Sequence, residues 1–223
     1  MASLTMIASS QKKQNEMSVW KNPYCLVLAG CLHATLVGCN STPGRPEKPD
    51  FSPSASAEAA VAEYDADGDG RIDQGEVAAC PGLAIAFPRI DTDGDDALDA
   101  QEIAARIEHY EAASASLSTG TVMVSLNGQP LPEAAVTFEP EAFLGDSFKA
   151  CSGETDYTGT AVISGHNDRF PGIFFGLYRV RVSKTVNGKE VVPERFNANT
   201  TLGHEASDDI PGLIRAIRFD LRD

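Results

Sequence analysis

Asp65-Ala66-Asp67-Gly68-Asp69-Gly70-Arg71-Ile72-Asp73-Gln74-Gly75-Glu76 sets carboxylates at positions 1, 3, 5, 9 and 12 of one short stretch, with glycine at 6 and an aliphatic at 8. Alternate residues of a tightly wound loop point inward, so Asp65, Asp67 and Asp69 can share one cation. Gly70 permits the left-handed turn that brings position 7 round, where the carbonyl of Arg71 is the expected ligand. Asp73 binds directly or through water, and Glu76 closes the shell with both oxygens. A second stretch, Asp91-Thr92-Asp93-Gly94-Asp95-Asp96-Ala97-Leu98-Asp99-Ala100-Gln101-Glu102, repeats the register. Asp91, Asp93, Asp95, Asp99 and Glu102 fill the same carboxylate positions, and Ala97 offers the carbonyl. Leu98 stands where Ile72 does, and the two aliphatics are expected to pair across the loops. A merely acidic surface run would not place carboxylates in identical register twice.

Both stretches match the EF-hand calcium loop, and the resemblance implies two Ca2+ ions as cofactors. The second departs from the pattern at position 6, where Asp96 replaces glycine. Aspartate tolerates left-handed backbone at some cost, so this site is expected to be the weaker one. The incoming helix of loop one is placed near Ala57 to Tyr64, with Val61 and Tyr64 on one face. Val77 lies on a short exiting helix that Pro81-Gly82 ends. Leu83, Phe87 and Ile90 mark the next helix, which Pro88 should kink or shorten. Ile103, Ile107 and Tyr110 recur at helical spacing in the last one. Residues 57–112 therefore read as an EF-hand pair. Without metal its carboxylates repel one another, and the apo form should be loosened.

These loops also explain the composition. The 223 residues carry 18 Lys+Arg against 32 Asp+Glu, a formal charge of −14. Residues 50–111 hold 16 acidic and 3 basic side chains, whereas residues 112–223 hold 14 and 10. Such acidity argues against nucleic acid as a partner, which would need a basic footprint. A hydrophobic fraction of 42% is that of a globular chain.

Lys21 followed by the apolar run Tyr24–Val37 has the form of an export signal, too short for a comfortable membrane span. It ends in Leu36-Val37-Gly38-Cys39, which resembles a bacterial lipobox; the resemblance implies lipidation of Cys39 and a signal over residues 17–39 that starts at Met17. Leu28-Ala29-Gly30-Cys31 fits the same pattern, but cleavage there would leave Leu32 to Val37 on the mature chain, so Cys39 fits better. A plain membrane anchor, or a signal cleaved without lipid, is the alternative. Asn40, in place of aspartate, implies the outer membrane by the sorting rule of such lipoproteins. The expected location is the cell envelope, lipid-anchored, facing periplasm or surface. Residues 40–56 are rich in proline and serine and read as a disordered tether.

Beyond a Ser/Ala linker at 113–118 the period changes to two. Val122, Val124 and Leu126 alternate with polar neighbours, as do Val136 and Phe138, Tyr178, Val180 and Val182, and Ile217, Phe219 and Leu221; Asn127-Gly128 signals a turn. Residues 119–223 thus suggest a small antiparallel β-sandwich, and the whole chain an α+β multidomain protein. The segments Leu126–Phe138, Thr155–Thr160 and Gly176–Val180 resemble carboxypeptidase-regulatory-like, transthyretin-like envelope domains. That resemblance implies a structural or adhesive module without an active site. The chain ends Phe219-Asp220-Leu221-Arg222-Asp223, unlike the Tyr-Arg-Gly-Ser end of the related hydroxyisourate hydrolases.

No nucleophile elbow or phosphate-cradling loop is present. His166 with Asp168 and His204 with Glu205 are the candidate acid–base or metal pairs, and both read as solvated turn chemistry. Cys80 and Cys151 are either a bridge between the halves or two unrelated thiols. The expectation is a non-enzymatic, calcium-binding, lipid-anchored envelope protein whose β module meets an unknown protein or glycan through Phe170–Phe175. A calcium-responsive regulator of an envelope partner is the alternative.

Overall fold

The structure is a computed structural model that describes residues 48–113, 117–165, 171–210 and 215–222. The fold is mixed α+β, with three helices followed by strands paired mostly antiparallel in several sheets. The segment expected to be an export signal, with Cys31 and Cys39, lies outside the described residues, as do His166, Asp168 and Phe170. Among the described residues no helix is long and apolar enough to cross a membrane.

Helix α1 (Pro53–Tyr64) starts at a Ser-Pro pair. Ser52 accepts the Ala55 amide at 3.4 Å, and Pro53 occupies the first turn, where its missing N–H leaves no bond unmade. This corrects the tether of residues 40–56, whose last residues are the first turn of the helix. The residues ahead of it are fastened as well. Lys48 Nζ donates to the carbonyls of Glu111 and Ala113, at 2.8 and 2.7 Å, and Phe51 packs against Phe148 with tilted rings, centroids 5.0 Å apart. The helix buries Ala57 and Ala60, while Val61 and Tyr64 pack at the margin of the core.

Strand β1 (Ile72–Asp73) is followed by a single 3₁₀ turn, Val77–Ala79. Pro81 then opens α2 (Pro81–Ile90) as its first residue, so it starts a helix as well as ending one. Pro88 does not stop α2, which runs on to Ile90. It sits in the last turn, and the Asp91 amide still reaches the Phe87 carbonyl at 2.9 Å. Strand β2 (Ala97–Leu98) pairs antiparallel with β1, Ile72 opposite Leu98, and both side chains are fully buried. Helix α3 (Ala100–Ala112) opens on a capping box between Asp99 and Glu102 and buries Ile103, Ile107 and Tyr110.

The remaining strands are β3 (Leu117–Ser118), β4 (Thr121–Leu126), β5 (Gln129–Pro130), β6 (Ala135–Pro140), β7 (Cys151–Glu154), β8 (Thr160–Val162), β9 (Ile173–Phe174), β10 (Gly176–Ser183), β11 (Thr185–Val186), β12 (Lys189–Glu190), β13 (Gly203–Ala206) and β14 (Ile217–Leu221). One sheet has the order β13-β10-β6-β7, a second β14-β4-β5 with β8 also on β4, and β3-β9 and β11-β12 form two-stranded pairs. The alternating residues face the core as expected: Val122, Val136, Phe138, Val180 and Val182 are buried. Asn127 and Gly128 both have positive φ, 51° and 79°, the two-residue turn that matches strand twist. Strand β14 lies parallel to β4, with Phe219 opposite Val124. This departs from a wholly antiparallel arrangement, because β14 is reached through a long connection from β13 and not through a hairpin.

The helices and sheets share one hydrophobic core. Helix α2 lies hard against the first sheet: a Cβ on Gly203 would fall 1.8 Å from the Pro81 carbonyl oxygen, and one on Gly82 would fall 2.7 Å from Glu141 Cγ. The Phe170–Phe175 segment is not an exposed contact loop in its described part. Ile173, Phe174 and Phe175 are all buried, which is the core packing its apolar sequence favours.

Candidate metal centre

Each acidic stretch is wound by its own side chains. In the first, Asp65 accepts the amides of Gly68 (2.7 Å) and Gly70 (2.8 Å) on its two oxygens. Glu76 reaches back to the amides of Ala66 (2.6 Å), Asp67 (3.2 Å) and Asp73 (3.0 Å). In the second, Asp91 accepts from Gly94 (2.7 Å) and Asp96 (3.2 Å), and Glu102 from Thr92 (2.8 Å), Asp93 (3.4 Å) and Asp99 (3.2 Å). The first and last carboxylates thus close each loop on itself.

Position 6 is left-handed in both, Gly70 at φ 88° and Asp96 at φ 64°. The reading of the pattern missed position 4, where Gly68 (φ 80°) and Gly94 (φ 76°) also turn left-handed. The Asp-x-Asp-Gly repeat carried that signal, since glycine adopts this backbone without a Cβ clash.

The winding brings one carboxylate oxygen each of Asp65, Asp67 and Glu76 within 4.8 Å of one another, and likewise those of Asp91, Asp93 and Glu102. Such partly exposed groups of hard oxygens could hold a metal ion, though acidic clusters also occur without one. Asp69, Asp73, Asp95 and Asp99 are not in these groups and brace the loops. Asp69 accepts the Arg71 amide at 2.9 Å, and Asp95 that of Ala97 at 3.0 Å. Asp73 accepts from Gly75 and Glu76, and Asp99 caps α3. The Arg71 side chain crosses to Asp95 of the other loop. The Gly70 amide holds the Asp65 carboxyl below its ordinary value. At Asp67 the Asp69 amide pulls the same way, but the charges of Asp69, Glu76 and Asp65, with partial desolvation, outweigh it and raise the group. A cation would relieve that repulsion.

A second constellation was not legible in the sequence. Glu205 on β13 is buried and accepts from Arg89 Nε, Arg106 Nε and the Tyr110 hydroxyl, each at 2.6 Å. Arg106 also holds Asp209 in a fork, at 2.7 and 2.8 Å. That guanidinium keeps the Asp209 carboxyl well below the usual range. His109, Asp208 and Asp209 come together too, but both Asp209 oxygens already face Arg106. At the other end of α2, buried Glu141 accepts the Gly82 amide at 2.8 Å, and Arg179 stands 3.6 Å away. Burial raises the Glu141 carboxyl against those two opposing partners.

His204 and Glu205 are strand residues and not turn chemistry. The His204 ring packs edge-on to Phe138, centroids 5.4 Å apart, and burial with the Arg89 charge pushes it down to about 4. Cys80 and Cys151 are free and buried. Burial pushes the Cys151 thiol up to about 12 and that of Cys80 higher still, the opposite of an activated nucleophile. No family model, curated protein or solved structure matches this chain.

Proposed function

We propose that this chain binds two calcium ions through an EF-hand pair and carries them beside a β-sandwich module at the cell envelope. The observation that carries the reading is the twofold convergence of Asp65, Asp67 and Glu76, and of Asp91, Asp93 and Glu102, on loops joined by the Ile72–Leu98 pair. Hard oxygens in rigidly wound loops suit calcium, which takes six to eight such ligands. Asp69, Asp95 and the carbonyls of Arg71 and Ala97 stand at the remaining positions of the pattern, with Asp73 and Asp99 at position 9. The role assigned is binding and structural or adhesive, with no catalytic step.

Lipid attachment at Cys39 rests on the sequence, and Cys39→Ser should release the protein from membranes. Retention would point to Cys31 or to a span.

Calorimetric titration of the full chain with calcium tests the central claim. Two binding events are expected, the weaker one lost in Glu102→Gln, and a flat titration would refute it. The alternative, a calcium-responsive regulator, draws support from Arg89 and Arg106, which flank loop two and grip Glu205 of the sheet. Accessibility of the helices with and without calcium separates the two: reversible opening favours the regulator, and helices held closed in calcium but loosened by chelator favour a stapled unit.

A further inference from the structure

A cleft of about 700 Å3 is lined by residues of β13, the end of β3, the start of β14 and described residues of the stretch between β13 and β14. That size is typical of small-molecule sites. Its lining is apolar at Ala206 and Ile217 and polar at Ser118, Thr119 and His204, with Arg215 and Arg218 adding two guanidiniums.

The electrostatics set this cleft apart from an acidic chain of formal charge −14. Among the described residues Glu205 is the one carboxylate of the lining, and its side chain is 1% exposed and matched by Arg89 and Arg106. It therefore presents little negative charge to the cleft. Arg71, Arg89, Arg106, Arg179 and Arg181 each face a carboxylate. Arg215 and Arg218 are exposed and make no ion pair or hydrogen bond among the described residues. The Thr119 hydroxyl accepts the Thr121 amide at 3.3 Å and keeps its own proton to donate. His204, neutral at pH 7, adds a ring N–H without charge.

We propose that this cleft binds a small molecule bearing a carboxylate or phosphate on an apolar body, the oxyanion held by Arg215 and Arg218 and the body lying over Ile217. Guanidinium forks match both oxyanions. A linked step rests on the calcium reading. Glu205 forms part of the cleft wall, Arg89 lies just ahead of Asp91, and Arg106 stands on the helix that Glu102 opens. Calcium in loop two orders both arginines and so the wall, and oxyanion affinity rises with calcium.

The test is calorimetric titration of the full chain with phenyl phosphate, benzoate and neutral benzyl alcohol, in saturating calcium and in chelator. Both anions should bind and the alcohol should not. The Arg215→Met/Arg218→Met variant should bind about tenfold more weakly or not at all, with an unchanged urea midpoint because both side chains are exposed. Chelator should weaken binding several-fold. No anion binding, equal binding of the alcohol, or full binding by the double variant overturns the cleft assignment. Equal anion affinity in calcium and chelator overturns the link. A flat calcium titration overturns the calcium reading, and the phenyl phosphate result then decides the cleft by itself.

Discussion

Glu205→Gln is the sharpest test of how the helices and sheets are joined. The glutamine keeps the shape and one acceptor oxygen, but it removes the charge and turns an NH2 toward guanidiniums that can only donate. Two partners soften the loss. Arg106, with 9% side-chain exposure, keeps its fork to Asp209, and Arg89, at 38%, can turn to water. The penalty should therefore fall below the cost of a wholly orphaned buried charge, at about 2–3 kcal/mol. For a unit of this size that is a fall in Tm of about 5–10 °C. Urea and thermal unfolding in saturating calcium, followed by far-UV dichroism for the helices and near-UV dichroism for the tyrosine-bearing core, would read it. Both probes should shift together, since Arg89 and Arg106 belong to α2 and α3 and Glu205 to β13. A loss under about 1 kcal/mol, or two probes that part company, would refute the shared network.

Three further outcomes follow from particular residues. Gly203→Ala should cost about 2–3 kcal/mol in urea unfolding, because the new Cβ would sit 1.8 Å from the Pro81 carbonyl and α2 must lift off β13; an unchanged midpoint would mean the docking is looser than this. Asp96→Gly should tighten calcium at loop two by about two- to fivefold in calorimetry, since glycine sheds the left-handed strain at φ 64°. No change would show that Asp96 already adopts that backbone freely. His204 is pushed from 6.5 down to about 4, so in that window the unfolded chain takes up a proton that the folded chain refuses. Stability is whole above pH 6.5 and declines as pH falls toward 4, by an amount on the order of 3 kcal/mol. Urea midpoints of His204→Leu should lack that part of the slope, and parallel pH profiles would argue against it.

What could be read from the chain follows from the range of the forces involved. Loop geometry is local: the amides that Asp65 and Glu76 accept all belong to the same twelve residues, so that winding is set by spacing within the stretch. Helix α3 and the alternating strands were legible for the same reason, each displaying its buried face within a few residues. Ser52-Pro53 was legible too, but proline-rich surroundings disguised a helix start as a tether. The Glu205 network was not, because its arginines lie 99 and 116 residues away and no periodic pattern links them. The same holds for the parallel β4–β14 pair and for Phe174 and Phe175, whose burial depends on what the rest of the fold lays over them.

Helix α2 is where these two kinds of information meet, and its anchoring bears on how calcium could act. It joins loop one to loop two, so any sensor-like opening of the pair must swing it. Its first turn is held by the Glu141 carboxylate on the Gly82 amide and by backbone contact with Gly203, and its last turn by Arg89 on Glu205. A swing would break the buried Gly82–Glu141 bond and expose a carboxylate seated against the positive end of the helix. On the calcium reading proposed above, metal occupancy would therefore act more cheaply on order than on angle: calcium would let the loops hold α2 and α3 against the sheet, and its removal would let the repelling carboxylates loosen that grip. The cleft wall at Glu205 would feel the difference without any helix having to open.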